Sequence, residues 1–248
     1  MSSSSARLNP PGIKLILYID FRSQPARALI SFCRLNGIQA ELKEIHMFKG
    51  EHMKPPFSVE VNPAKQLPAL QEIDEATGQV RLTLSESHAI LRYLATTRGC
   101  PDHWYPADLR RRAVVNHYLD EHHNFLRQGV GQYAFKKLFA PLVTGQTYTE
   151  EALDLHRDLL ARGLVLMENR LAKTRYLCGD EVSIADLSAC CELDSSRFLE
   201  LNLDSHPKVK AWLHHMIDEN PIVLEIHQPS RGYAAEWVEA ARKKRAKL

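Results

Sequence analysis

No stretch of the 248 residues stays apolar for the roughly 20 positions that a membrane-spanning helix needs. The first residues, Met1-Ser2-Ser3-Ser4-Ser5, carry neither a basic start nor an apolar stretch, so no signal peptide is expected there. Charge of one sign is also missing. Lys and Arg number 32 against 30 Asp and Glu, and a net +2 provides no whole-molecule field to draw the chain to nucleic acid. The excess crowds into Arg242, Lys243, Lys244, Arg245 and Lys247; without those five the rest carries −3. The five cysteines (Cys33, Cys100, Cys178, Cys190, Cys191) are odd in number and unpatterned, and the adjacent Cys190-Cys191 reads as small core residues. A reducing, intracellular setting is expected. Among the twelve histidines, His117, His122 and His123 share one helical stretch without the four-residue spacing of paired ligands. Neither H-E-x-x-H nor a paired C-x-x-C occurs, so no metal is expected. There is no G-x-G-x-x-G, no phosphate loop and no internal repeat. What is present, 44% hydrophobic and 25% charged residues, is an ordinary globular composition, enough for one large domain or two small ones.

After a Ser/Pro-rich lead over residues 1–13, Leu15-Ile16-Leu17-Tyr18-Ile19 is a nearly continuous apolar run, suited to a strand covered on both faces. Gln24-Pro25 opens a helix that buries Ala28, Leu29, Phe32, Cys33 and Leu35 and ends at Asn36-Gly37. Ala40 to Ile45 alternates with period two, which predicts a half-exposed strand. Phe48 to Asn62 is irregular. Leu67–Leu70 and Val80–Leu84 flank the polar turn Asp74–Gly78 and predict a hairpin. Ser85-Glu86-Ser87 then starts a helix through Ala89, Ile90, Tyr93 and Leu94, stopped by Gly99. Breaks at Pro101 and Pro106 mark a linker. Beyond it only helices are expected: from Leu109 to about Arg127 behind Asp108, from Thr149 to Ala172, from Ser183 onward, and from Pro207 to Glu219.

Four features carry chemistry. Ser23 lies between the end of a strand and the start of a helix, where free N–H groups and the positive dipole end favour an anion. A hydroxyl there can donate to a thiolate and lower its pKa, yet a plain helix cap is the simpler reading of Ser23 taken alone. Pro68 in Gln66-Leu67-Pro68-Ala69-Leu70 removes a ladder donor. It therefore fits either an edge strand that begins with proline, or a cis bond that turns the Leu67 backbone outward to pair with a short peptide. Ser85-Glu86-Ser87 repeats the hydroxyl at a helix start beside an acid; a plain cap is the simpler reading of that motif alone. Ser183-Ile184-Ala185-Asp186 is a capping box, a structural device. Tyr18 fits core better than the site, and Trp104-Tyr105 fits packing between domains.

Read in order, Ser23-Gln24-Pro25, Lys49-Gly50-Glu51-His52, Val61-Asn62-Pro63, Leu67-Pro68-Ala69-Leu70, Ser85 to Leu91 and Trp104-Tyr105-Pro106 resemble a cytosolic glutathione transferase over about residues 14–220. The resemblance is greatest to the theta class, whose catalytic residue is a serine near the N-terminus. It implies an α/β thioredoxin-like domain over 14–98, a linker over 99–108, an all-α domain for the electrophile over 109–240, and a basic tail over 241–248. It further implies Ser23 as the thiolate-stabilising hydroxyl. Gln24, His52, Gln66, Leu67, Glu86 and Ser87 would bind glutathione, His52 and Gln66 at the glycyl end and Glu86 and Ser87 at the γ-glutamyl end. Pro68 would be cis, and Arg127 would add positive charge near the thiol. The implied activity is conjugation of glutathione, the co-substrate, to small hydrophobic electrophiles in detoxification, with dehalogenation and peroxide reduction as variants. A homodimer in the cytoplasm, without nucleic-acid or membrane partners, is implied too. A non-catalytic interaction module on the same fold is the alternative. The tail Ala246-Lys247-Leu248 resembles the S-K-L peroxisomal address, and a solvated basic tail is the other reading. Two departures stand out. The Glu72–Arg81 hairpin is longer than usual, and the match beyond Gln128 is loose, where preference for the electrophile resides.

Overall fold

Five successive apolar residues cannot be divided between core and water by a strand's alternation, so Leu15 to Ile19 require cover on both faces. In the computed structural model, which describes residues 9–245, they form the buried part of β1 (Ile13–Ile19). β1 pairs in parallel with β2 (Glu41–Glu44) and antiparallel with β3 (Ala69–Asp74), which pairs antiparallel with β4 (Val80–Ser85). The order is β2-β1-β3-β4, a mixed sheet. The alternation over Ala40–Ile45 overstates burial: all four residues of β2 are exposed, because it is an edge strand with a partner on one side only. The edge reading of Pro68 also fails. β3 is a central strand, and Pro68 stands just outside its ladder, which begins at Ala69.

Between β1 and β2 runs α1 (Gln24–Leu35), which ends at Asn36 with Gly37 left-handed at φ 68°. α2 (Ser87–Thr97) follows β4 and buries Ile90, Leu91 and Leu94. Short helical turns occupy the stretch read as irregular: 3-10 turns at Met47–Lys49 and Glu51–Met53 and an i→i+5 turn at Phe57–Val61. A buried ion pair between Arg98 and Glu72, with the Tyr93 hydroxyl donating to Glu72 at 2.8 Å, anchors the end of α2 to β3. Trp104 packs edge-on against Phe32 of α1 at 5.4 Å, so its contact lies inside this unit.

The chain divides into two compact units, Met1–Tyr105 and Pro106–Leu248. The second is helical. α3 (Leu109–Asn124) is capped by Asp108, whose side chain accepts from the N–H groups of Arg110 and Arg111. Wider i→i+5 turns at Arg127–Gln132 and Phe135–Phe139 then lead into α4 (Ala140–Val143). α5 (Glu150–Leu171) starts behind Thr149, and its Leu153, Leu160, Leu164, Met167 and Leu171 are buried, as their spacing predicts. A Cβ on Gly129 would lie 2.5 Å from the Leu160 backbone, so only glycine permits this close crossing. α6 (Ile184–Asp194) begins with the full capping box, and Cys190 and Cys191 are core residues. α7 (Pro207–Ile217) precedes α8 (Pro221–Arg245). The sequence reading names no helix after Glu219. Pro221 sits in the opening turn of α8, where its missing N–H costs nothing, and Pro229 lies inside the helix.

Candidate active site

Strand register brings four connections to one edge of the sheet. Tyr18 is opposite Ala69, and Ala69 is opposite Ser85, while on the other side Ile19 is opposite Glu44. The loop leaving β1, the chain leaving β2, the Leu67-Pro68 approach to β3 and the exit of β4 into α2 therefore share that edge. These segments carry Ser23, His52, Gln66 to Pro68, and Glu86 with Ser87. All are in the first unit.

Ser23 is the residue preceding α1 and only 4% exposed, but its side chain makes no capping hydrogen bond. The local sequence explains this. A capping hydroxyl accepts from the second or third helical N–H, and the second helical residue is Pro25, which has none. The plain-cap reading of Ser23 is thereby corrected. Gln24 follows, half-buried, at the first position of α1.

Two buried charges that the sequence reading did not single out shape the Ser23 loop. The Asp20 carboxylate, fully buried, accepts from Arg22 through its N–H (2.9 Å), Nε (2.8 Å) and Nη2 (2.7 Å), and from the Met47 N–H (3.0 Å). Its backbone carbonyl accepts the Ser23 N–H at 2.8 Å. One turn into α1, the fully buried Arg27 donates Nη1 to the carbonyls of Phe21 (2.9 Å) and Arg22 (3.2 Å). A signal existed for both: each is a charge set into an apolar pattern, Asp20 at the end of the β1 run and Arg27 on the packed face of α1.

His52 is half-buried in the turn Glu51–Met53, and its Nδ1 is a buried atom without a hydrogen-bond partner. Burial pushes its pKa below the ordinary histidine value, with the nearby Asp20 charge pulling the other way. A buried orphan nitrogen is uncommon enough to suggest a missing partner. The Leu67-Pro68 bond is cis, as is Pro55-Pro56. Asn62 shapes the approach: its Nδ2 donates to the Gln66 carbonyl (2.9 Å) and its Oδ1 accepts from Ala64 N–H (3.0 Å). Gln66 itself is exposed, and Leu67 and Pro68 are buried.

Glu86, not a serine, is the residue preceding α2. It is exposed, makes no capping bond, and holds a left-handed φ of 67° that glycine normally takes. Such a backbone costs about 1–3 kcal/mol, and residues of this kind gather at ligand sites. Ser87 is the first residue of α2, so neither hydroxyl of this motif is a plain cap. Tyr18 is accounted for as core, its hydroxyl donating to Gln71 Oε1 at 2.8 Å.

Arg127 lies in the second unit, 3.1 Å from Glu192, a nearly fully buried carboxylate that also faces His122 at 3.8 Å. Burial raises the Glu192 pKa, but Arg127 and His122 outweigh it and hold the group below its ordinary value. A side chain at Gly131 would run into the Glu192 carboxylate, so glycine makes room for the pair. No cluster of metal-binding side chains and no helix long and apolar enough to cross a membrane occurs among the described residues.

Against known proteins, residues 25–97 match the family model described as glutathione S-transferase, N-terminal domain, and residues 132–220 match the C-terminal domain of the same family. Rat glutathione S-transferase theta-2 is 36% identical over 200 residues, covering 80% of this chain and 78% of the rat protein. Glutathione S-transferase T1 of Arabidopsis thaliana is 37% identical over 210 residues, covering 81% and 82%. The structure of a human theta-class glutathione transferase with the glutathione conjugate of 1-menaphthyl sulfate superposes with a TM-score of 0.80 at 32% identity, over 93% of this chain and 91% of that one. Human glutathione transferase theta-2, solved with glutathione, gives 0.80 at 31% identity over the same shares. With its α/β unit, its helical unit and its theta-class likeness, the chain belongs to the glutathione S-transferase family.

Proposed function

We propose that the protein is a glutathione transferase that joins the glutathione thiolate to small hydrophobic electrophiles. The uncapped Ser23 hydroxyl is the observation that carries this reading. Held by Asp20 and Arg27 at the start of a helix, it is available to donate to sulfur. The bound thiol releases its proton to water, and the sulfur attacks the electrophile. The new carbon–sulfur bond forms as the leaving group departs. Lowering the thiol pKa by about two units needs about 2.7 kcal/mol of preferential thiolate stabilisation. A charge-assisted hydrogen bond (about 1.5–3) with a helix terminus (about 0.3–2) covers that range.

The remaining assignments follow the same edge of the sheet. His52, with its orphan Nδ1, takes the glycyl carboxylate beside Gln66. Leu67, presented by cis-Pro68, pairs its backbone with the cysteinyl unit, Gln24 lies alongside, and Glu86 and Ser87 hold the γ-glutamyl end. Arg127 adds positive charge near the thiol, tempered by its pairing with Glu192. The domain limits 14–98, 99–108 and 109–240, a homodimer, a role in detoxification in the cytoplasm, and dehalogenation or peroxide reduction as variant reactions complete the proposal. The tail tripeptide Ala246-Lys247-Leu248, proposed as a peroxisomal address, lies outside the described residues. The non-catalytic alternative has little in its favour, since Ser23, His52, Glu86 and Ser87 are all present and the matched relatives are named transferases.

The deciding experiment is an ultraviolet titration of the bound thiol in the native protein and in Ser23→Ala, with a conjugation rate against an aralkyl halide. The native protein should ionise glutathione well below its free thiol pKa. Ser23→Ala should return the pKa toward the free value and reduce kcat/KM about a hundredfold while glutathione still binds. Equal titration curves for the two proteins would overturn the reading.

A further inference from the structure

The Asp20 carboxylate reaches in two directions. Through its own carbonyl it holds the Ser23 N–H, and through Oδ1 and Oδ2 it takes three donors from Arg22. Its fourth donor is the N–H of Met47, 27 residues further on, where the first turn after β2 begins. That turn ends at Gly50, and Gly50 starts the next one, which carries His52. Arg22 makes the same crossing by another route, its guanidinium lying 4.8 Å from the centre of the Phe48 ring. Within the His52 segment, Glu51 Oε2 accepts the His46 N–H at 2.8 Å, which ties the second turn back to the start of the first. The Asp20 carboxylate thus joins two loops.

We propose that Asp20 and Arg22 form a positioning pair that locks the Ser23 loop to the His52 turn, so that the thiol end and the glycyl end of glutathione are gripped in fixed register. The proposal rests on the roles given above to Ser23 and His52 and adds the residues that set the distance between them. In this role both act through Ser23 and His52 rather than on the reacting atoms.

Field effects and positioning predict opposite signs, which makes the pair testable. A carboxylate near a developing thiolate opposes it, so removing the Asp20 charge would by electrostatics alone lower the bound-thiol pKa. Loosening the Ser23 hydroxyl would raise it. In the full-length protein, Asp20→Asn should raise the bound-thiol pKa by about one unit, cut the conjugation rate near neutral pH about tenfold, and raise KM for glutathione several-fold. The double variant Asp20→Asn with Ser23→Ala should titrate no higher than Ser23→Ala alone, because the first change acts through the second residue. Arg22→Lys keeps the charge and discards the two-pronged geometry, and should raise the pKa in the same direction by a smaller amount. Should Asp20→Asn fail to fold, judged by its thermal transition, Arg22→Lys decides the matter. An unchanged or lowered thiol pKa in the folded variants, with Ser23→Ala still raising it, would remove the positioning pair and leave the Ser23 assignment standing. No shift in Ser23→Ala would remove the assignment itself.

Discussion

Ser23 and Ser183 stand in the same place, one residue before a helix, and they do opposite things. The Ser183 hydroxyl is spent on its own helix: it accepts from Ala185 N–H at 3.3 Å and donates to Asp186 Oδ2 at 3.0 Å. The Ser23 hydroxyl makes no such bond. Their neighbouring aspartates differ in the same sense. Asp186 takes neutral donors only, from Leu177 N–H, Ser183 and Trp212 Nε1, and burial pushes its carboxyl above the ordinary range. Asp20 is paired with a cation and ties two loops together. The Ser183 and Asp186 side chains are satisfied within their own cap; the Ser23 hydroxyl is left open. The first arrangement holds a fold, and the second suits the ligand site proposed above.

The contrast is sharpest in Asp186→Ala, which strands four buried donors. It should destabilise the chain by about 3–5 kcal/mol in a denaturant titration. A loss below about 1 kcal/mol would erase the distinction. Crossing the two serines comes next. Ser183→Ala should cost about 1–2 kcal/mol of stability while the bound-thiol titration stays put, whereas Ser23→Ala should shift that titration and move stability by less than about 1 kcal/mol. The histidine of the open site offers a smaller effect. By NMR, His52 should titrate below the usual value in the free protein and move upward when glutathione places a carboxylate beside it. Because its folded pKa is depressed, the neutral ring's contribution to stability is complete above the ordinary histidine pKa. It is lost as pH falls toward the depressed value. Least of all should follow from Arg81→Ala at the exposed hairpin. The Asp74 pKa, held at about 2 first by Arg81 and then by Thr77, should climb toward the ordinary aspartate value with no measurable change in unfolding midpoint.

Much of this was readable in advance where a local rule suffices. The β1 run, the hairpin around Asp74, the capping box at Ser183 and the buried stripe of α5 each follow from spacing within about a dozen residues. Even the open Ser23 hydroxyl was encoded, because Pro25 removes a donor that a cap would use. What spacing did not reveal depends on residues far apart. The bond from Met47 to Asp20 and the pairing of Arg127 with Glu192 connect segments that only the tertiary fold brings together. The full exposure of β2 depends on its place at the sheet's edge, and α8 was hidden behind prolines that a helix can tolerate.

The left-handed backbone at Glu86 carries a lesson for anyone who would make this protein more heat-tolerant. Glycine at that position would relax the chain and raise the melting temperature, and a screen for survival at high temperature would select it. The same exchange would discard the carboxylate proposed above to hold the ammonium group of glutathione. Robustness and ligand grip therefore compete at a single codon, and hardening schemes should leave it untouched.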